Sequence, residues 1–251
     1  MVYLKPFLIP LLLLCLWAGL SALDAVNRYL VPPPTEVWKS AIDLLQEGDL
    51  QRHILASVRR VLLGFFTTSI IAIPLAVLLY FYRLTEGYLR FILEFMRNTP
   101  PLAAIPLLIL WFGIGEASKL AVIILASFFP IFLSALSGLR SVDRRLMEMA
   151  DTLELTGIEK LRFVLIPGAL PPIVTGLRLG FGYSWRALIG AELIAASVGL
   201  GYMILDAQEL ARTDTVFVGI AVIGALGYVF DLIFLRLIRH FFFYANLGDQ
   251  L

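Results

Sequence analysis

The sequence contains little charge, little histidine and almost no cysteine. Only 16% of its 251 residues are charged and 60% are hydrophobic, whereas an average soluble domain is about a quarter charged. These proportions argue against a soluble enzyme, a disordered chain and a coiled coil. Cys15 is the single cysteine, so it cannot form a disulfide within the chain. With two histidines, His53 and His240, we expect neither a catalytic nor a metal site built on histidine.

The charges nearly cancel. The chain has 20 Lys and Arg residues and 19 Asp and Glu residues, which gives a formal net charge of +1. No global field that would attract nucleic acid follows from this balance, so no nucleic-acid partner is expected. The positions of the basic residues are therefore more informative than their number.

Six charge-poor apolar stretches are long enough to cross a membrane, because one crossing needs roughly 20 apolar residues. They are residues 6–23, 61–82, 98–115, 120–139, 170–197 and 215–238. The first resembles a signal peptide, but Ser21-Ala22-Leu23 is a weak cleavage site, and we interpret it as a retained helix. We predict an all-α polytopic membrane protein in which residues 1–251 form a single transmembrane domain.

Basic residues concentrate in alternate connections. They follow the second crossing (Arg83, Arg90, Arg97), the fourth (Arg140, Arg144, Arg145, Lys160, Arg162) and the sixth (Arg236, Arg239). The positive-inside rule then places both termini and the long fourth connection in the cytoplasm. Segment 24–60 would be extracytoplasmic, although it carries five basic residues of its own.

Segment 24–60 contains a predicted amphipathic helix. Pro32-Pro33-Pro34 is a stiff extended stretch. Thr35 is a candidate N-terminal cap and Gly48 a candidate C-terminal cap. Between the two caps, one helix face would carry Val37, Trp38, Ala41, Leu44 and Leu45.

The connection 141–167 is the most informative segment. Val142, Leu146, Met149, Ala150 and Leu153 recur at the spacing of one helix face. From the pattern alone, such a helix could lie on lipid, pack under its own bundle or dock into a partner. Gly157 is expected to end this helix, and Pro167 to stop a second helical piece at 158–166.

The same connection resembles the "EAA" loop of ABC importer permeases. That pattern reads Glu-Ala-Ala, three residues, Gly, nine residues, Ile, one residue, Leu-Pro. Glu148, Ala150, Val164 and Ile166-Pro167 match it in type and spacing. Met149 replaces the first alanine. Glu154 stands at the position of the family's glycine. Glutamate resists the turn that glycine would permit there.

The resemblance extends over nearly the whole chain and indicates the nitrate, sulfonate and taurine subfamily. The matching segments are Pro32-Pro33-Pro34-Thr35-Glu36-Val37, Ser57-Val58-Arg59-Arg60-Val61, Pro106 to Glu116, Phe129-Pro130-Ile131, and Ala191-Glu192-Leu193 with Gly199-Leu200-Gly201-Tyr202. The resemblance implies the fold of a type I importer permease in the inner membrane.

The resemblance also implies partners. Such a permease pairs with a second copy of itself, two ATPase subunits and an extracytoplasmic binding protein that delivers a small solute. The expected ATPase contacts are Glu148, Met149, Ala150, Asp151, Thr152, Leu153, Glu154, Leu155, Gly157 and Pro167. The chain has no Gly-x-x-x-x-Gly-Lys-[Ser/Thr] motif. We therefore expect no bound cofactor and no catalytic residue, with ATP and magnesium used by the partner.

Arg186 and Glu192 are the most informative charges within the crossings. An ionisable group at the centre of a span costs at least roughly 2.5–3.5 kcal/mol and usually faces the bundle interior or water. Both are candidates for the translocation path, Arg186 as a group that attracts an anion. The alternatives are an internal salt bridge, or for Glu192 a side chain extending outward to the surface. Arg178 would be an interfacial anchor, and Asp231 has no identifiable partner.

Two other classes of protein remain open. A secondary transporter would need ion-coupling carboxylates at mid-membrane, for which Glu192 and Asp231 are the only candidates. A membrane hydrolase would need a nucleophile and a base, and no His-Glu-x-x-His motif is present. For an importer, the expected cargo is a small organic or inorganic anion such as a sulfonate, nitrate or carboxylate. A neutral or cationic vitamin precursor is the alternative cargo.

Overall fold

The protein is helical along the described chain. The structure, a computed structural model, describes residues 5–23 and 25–241. Its helices are α1 Lys5–Ala22, α2 Pro34–Glu47, α3 Asp49–Phe81, α4 Arg83–Asn98, α5 Ile105–Phe112, α6 Glu116–Arg140, α7 Arg144–Thr152, α8 Gly157–Lys160, α9 Ile166–Ala195, α10 Leu200–Glu209 and α11 Thr213–Phe241. A 3-10 helix, Pro101–Ala104, precedes α5, and a π-helical turn, Leu161–Leu165, precedes α9.

Four helical segments in the described chain are long and apolar enough to cross a membrane. They are Asp49–Phe81, Glu116–Arg140, Gly157–Ala195 and Thr213–Ile238. Two shorter apolar segments, Leu8–Ala22 and Pro101–Phe112, coincide with the predicted first and third crossings. The predicted all-α membrane fold is confirmed. The orientation of the termini stays a prediction, since both termini lie outside the described residues.

The predicted third crossing is not one helix. α4 ends at Asn98, and Pro100 and Pro101 separate it from the 3-10 helix and the eight-residue α5. Proline has no N–H and disfavours the helical conformation of the residue before it, and Thr99, which precedes Pro100, is extended. Most of the predicted loop at 83–97 is therefore helix, which forms α4.

The amphipathic helix in segment 24–60 is present, but its caps and its buried face differ from the expectation. Pro33 is the N-cap and Pro34 occupies the first turn, so Thr35 lies inside α2 and is not its cap. Gly48 ends the helix with φ 82°, as predicted. Ser40 and Leu44 are buried, whereas Trp38 is exposed.

The chain divides into two compact units. The first comprises Met1–Val58 and Glu192–Leu226, and the second Arg59–Ala191 and Gly227–Leu251. In the first unit, the Trp17 and Phe217 rings stack with centroids 5.5 Å apart, and the Ser40 and Thr215 hydroxyls are 3.2 Å apart. The prediction of a single domain stays a prediction.

The second unit is built on close helix packing. Phe65 of α3 makes edge contacts with Phe181 of α9 and Phe234 of α11. A Cβ placed on Gly176 would lie 2.4 Å from Ser134 Cβ, and one on Gly180 would lie 2.5 Å from Ile131 Cγ1. The Gly-x-x-x-Gly pair therefore lets α9 approach α6 within one subunit.

Candidate functional site

The helix predicted in the cytoplasmic connection is α7, and it is firmly capped. Asp143 is its N-cap, and the Asp143 carboxylate accepts a hydrogen bond of 2.9 Å from Arg145 N. Arg144 and Glu148, four residues apart, form an exposed ion pair at 3.0 Å. These local interactions explain how a helix of nine residues holds its shape.

The apolar face of α7 divides between the interior and the surface. Ala150 is buried, whereas Leu146, Met149 and Leu153 are 42%, 55% and 66% exposed. The three exposed side chains are spaced at i, i+3 and i+7, so they form one stripe along the helix. We call Leu146, Met149 and Leu153 the α7 stripe.

Glu154 makes the turn that the family pattern assigns to glycine. Its φ is +53°, in the left-handed region. Glu154 N donates to Asp151 O and Leu155 N donates to Ala150 O, both at 3.0 Å. These two bonds form the Schellman motif that commonly ends a helix. The glutamate therefore adopts the turn that we expected it to resist.

Gly157 begins a helix instead of ending one. Thr156 caps α8 in a capping box, in which Thr156 Oγ1 accepts from Glu159 N and the Glu159 carboxylate accepts from Thr156 N at 2.8 Å. Lys160 of α8 pairs with Asp151 of α7. The ion pair ties the two halves of the connection together.

Pro167 does not stop the helix. The helical segment continues from Gly157 to Ala195, with Pro167, Pro171 and Pro172 inside it. The π-helical turn Leu161–Leu165 lies directly before Pro167, and Ile166 N donates to Leu161 O in its wider bonding pattern. A π turn shifts the hydrogen-bond register locally, which lets the helix accommodate a residue without an N–H.

Glu192 is fully buried, so the alternative in which its side chain extends outward to the surface is wrong. Ser57 Oγ lies 2.9 Å and 2.8 Å from the two carboxylate oxygens of Glu192. Gly201 N donates to Glu192 Oε2 at 3.1 Å. The carboxylate is thus held by α3 and by the first turn of α10.

One more side chain of α3, His53, completes this polar cluster. We call His53, Ser57, Glu192 and residues 199–201 the Glu192 cluster. His53 Nδ1 accepts from Gly199 N at 3.0 Å, and Ser57 Oγ accepts from Leu200 N at 2.9 Å. Tyr202 stacks on His53, and the nearby Asp206 carboxylate raises the pKa of Tyr202.

The sequence analysis did not identify His53 and Ser57 as site residues. The available signal was their one-turn spacing on a helix.

Arg186 belongs to the second unit and lies at its surface. It is exposed on α9, with its guanidinium carbon 5.8 Å from the centre of the Tyr183 ring. The described residues offer it no ion pair. By contrast, Arg178 and Asp231 form a bidentate pair at 2.7 Å and 2.9 Å, which gives Asp231 the partner that the sequence could not identify.

Within residues 5–23 and 25–241, which the structure describes, no group of three or more metal-ligating side chains occurs. The spans and α7 together define a polytopic α-helical membrane protein. The connection between two of its spans carries a capped helix with an exposed apolar stripe.

Comparison with known proteins identifies the family. Residues 61–242 match the model of the binding-protein-dependent transport system inner membrane component. The chain belongs to this family of membrane permeases.

Its relatives include permeases named for sulfonates. The taurine transport system permease protein TauC of Escherichia coli is 39% identical over 88% of this chain and 82% of its own. The putative aliphatic sulfonates transport permease protein SsuC of Bacillus subtilis is 36% identical over 94% of this chain and 86% of its own. A putative ABC transporter permease of Methanocaldococcus jannaschii is also 36% identical, over 89% of this chain. The predicted family and subfamily are confirmed.

Proposed function

We propose that this permease imports a small sulfonate-type anion by alternating access, driven by two partner ATPase subunits that bind the connection 141–167. The permease acts as a homodimer, and an extracytoplasmic binding protein delivers the solute. Relatives named for taurine and for aliphatic sulfonates support this class of cargo. Both termini lie in the cytoplasm, on the side of the ATPase, in keeping with the distribution of basic residues.

The α7 stripe is the observation that carries the proposal. Fully burying an aliphatic side chain stabilises an interface by about 1.5–3 kcal/mol. Leu146, Met149 and Leu153 are each about half exposed, so covering all three would contribute about 3 kcal/mol by the same measure. The exposed Arg144–Glu148 pair beside the stripe supplies a polar rim. The proposed contact comprises Leu146, Glu148 to Leu155 and Gly157, together with Pro167 in the first turn of α9.

Energy reaches the membrane through this contact. A partner can shift a two-state equilibrium only by binding one state better than the other. α7 is tied to α8 by the Asp151–Lys160 pair, and α8 continues into α9 without a break. A movement of α7 with the ATPase is therefore passed to a membrane-spanning helix.

Arg186 lines the proposed path. An arginine exposed to hydrocarbon costs at least roughly 2.5–3.5 kcal/mol, and the described residues do not neutralise Arg186. A water-filled path removes that cost, and a guanidinium there attracts a sulfonate. Glu192 is the second candidate residue for the path, and its carboxylate is engaged with Ser57 and Gly201.

Co-purification with the cognate ATPase tests the docking. We expect Leu153→Glu to reduce the recovered ATPase at least about fivefold, because a charge placed in an apolar contact must be desolvated. Leu210→Glu is the matched control: Leu210 is 62% exposed, close to the 66% of Leu153, and lies outside α7. Equal recovery from the two variants, both folded, would contradict the proposed contact.

A further inference from the structure

The apolar side of α2 is much wider than the part of it that is buried. Ser40 and Leu44 are buried, whereas Trp38, Ile42 and Leu45 are 71%, 38% and 46% exposed. We call Trp38, Ile42 and Leu45 the α2 stripe. At about 100° of rotation per residue, the stripe lies about 150° around the helix from the buried pair. Packing within the chain therefore covers one edge of the apolar surface and leaves the other edge exposed.

The remaining side of α2 is polar. It is a single arc of exposed side chains, which are Glu36, Lys39, Asp43, Gln46 and Glu47. The helix thus has three sides: one packed on the chain, one apolar and exposed, and one polar and exposed. A helix that meets protein, hydrocarbon and water at the same time requires these three sides.

Contacts within the first unit hold α2 at the ends of two apolar helices. Trp17 Nε1 of α1 donates to Pro32 O at 3.1 Å, just before α2 begins. The hydroxyl oxygens of Ser40 and Thr215 are 3.2 Å apart, and Thr215 lies in the first turn of α11, which is long enough to cross a membrane. At a rise of about 1.5 Å per residue, Trp17 is about 7.5 Å from the end of α1 at Ala22. The start and the middle of α2 therefore lie at the level where a membrane meets water.

The length and the side chains of α2 fit that level. Its 14 residues extend about 21 Å, too short for a hydrocarbon core of about 30 Å. Trp38 is the most exposed member of the α2 stripe, and tryptophan favours the membrane–water interface because its ring is apolar and its N–H is polar. The acidic residues of the polar arc outnumber Lys39. Burial of apolar surface, not attraction to anionic headgroups, is therefore the force available to bind α2 to lipid.

We propose that α2 is an interfacial helix whose stripe of Trp38, Ile42 and Leu45 inserts into the lipid leaflet at the ends of α1 and α11, while its polar arc faces water. The partner is the surface of a zwitterionic lipid bilayer, into which such helices penetrate about 5–10 Å. α2 thereby braces the ends of α1 and α11 against the membrane surface. This lipid contact depends neither on the cargo nor on the ATPase.

Spin labelling of the full-length permease in phosphatidylcholine nanodiscs tests the contact. Cys15→Ser removes the single cysteine, and a nitroxide is then attached through Leu45→Cys on the stripe or Lys39→Cys on the polar arc. Both positions are exposed, so neither label replaces a buried side chain. Oxygen concentrates in hydrocarbon and a nickel chelate stays in water. We expect the ratio of oxygen to nickel accessibility to be at least about fivefold higher at position 45 than at position 39. Ile42→Cys supplies a second stripe position and should give the same result as Leu45→Cys.

The two reagents distinguish the outcomes. Access of the nickel chelate to the labels at positions 42 and 45 would show that the α2 stripe faces water. Exclusion of both reagents from these labels would show that a protein surface covers the stripe, either a second copy of the permease or the binding protein. Each result would overturn the lipid contact. Exclusion of the nickel chelate from Lys39→Cys would overturn it as well, because the polar arc would then lie out of water.

Discussion

Gly199 is the residue on which the Glu192 cluster depends most directly. Its φ of 139° is a conformation that residues with a side chain rarely adopt, and a Cβ built there would lie 2.4 Å from the Glu192 carboxyl carbon. Gly199 N also donates to His53. The glycine therefore lets the chain turn into α10 while passing close to a buried carboxylate.

Replacing Gly199 by alanine should destabilise the protein strongly. The backbone conformation alone would cost about 1–3 kcal/mol, and displacement of Glu192 would break its bonds to Ser57 and Gly201. Gly224→Ala is the control, because a Cβ on Gly224 meets nothing within 4 Å. In a helix that change stabilises by about 0.5–1 kcal/mol. Denaturation of the two purified variants in detergent gives the comparison, and equal midpoints would contradict the role assigned to Gly199.

Residue-level chemistry was only partly predictable. Glu192 stands out in the sequence because a carboxylate within an apolar span is costly. Its partner Ser57 is 135 positions away, and no local pattern connects the two. The Arg178–Asp231 pair is separated by 53 positions and escaped prediction for the same reason. Long-range partners follow from packing, which periodicity does not specify.

At the scale of the element, the turn that ends α7 has the left-handed backbone typical of glycine, although the residue there is Glu154. A residue other than glycine in the left-handed conformation costs roughly 1–2 kcal/mol. The bonds Glu154 N to Asp151 O and Leu155 N to Ala150 O hold that conformation. The connection therefore carries local strain at the residue where α7 turns toward α8.

Glu154→Gly should relieve that strain. Allowing for the greater flexibility of glycine in the unfolded chain, we expect a net gain of about 0.5–1 kcal/mol. Glu154→Ala is the control, since alanine loses the carboxylate but keeps the strained backbone, and it should give no such gain. Chemical denaturation measures both variants. A loss of stability in Glu154→Gly would show that the glutamate side chain, not the turn, holds the connection in place.

Helix positions were predictable where the apolar run was unbroken, and less so near proline. The predicted crossings at 120–139 and 215–238 lie within Glu116–Arg140 and Thr213–Phe241. Pro100 and Pro101 break the third crossing, whereas Pro167 sits inside a continuous helix. Pro74 and Pro130 also lie inside helices, so the hydrophobic pattern does not show which proline ends a helix.

At the scale of the whole molecule, the ordered set of motifs predicted the family before any geometry was known. A cavity that α4 lines together with α3 and α6 was not predictable. Residues 83–97 read as a basic loop, and only the observed helix places Glu94 and Arg97 with the buried side chains of α3 and α6. The sequence therefore indicates the class of transporter, while the side chains that line a cavity together are known only from the packed structure.

Coupling of solute movement to a partner ATPase is the central claim, and uptake of a radiolabelled alkanesulfonate tests it most directly. Cells would carry this permease with its binding protein and ATPase, with the ATPase either intact or altered at its phosphate-binding lysine. The account predicts uptake with the intact ATPase and at least about a tenfold loss with the altered one, because the permease has no phosphate-binding loop of its own. Undiminished uptake with the inactive ATPase would contradict the account and favour a secondary transporter.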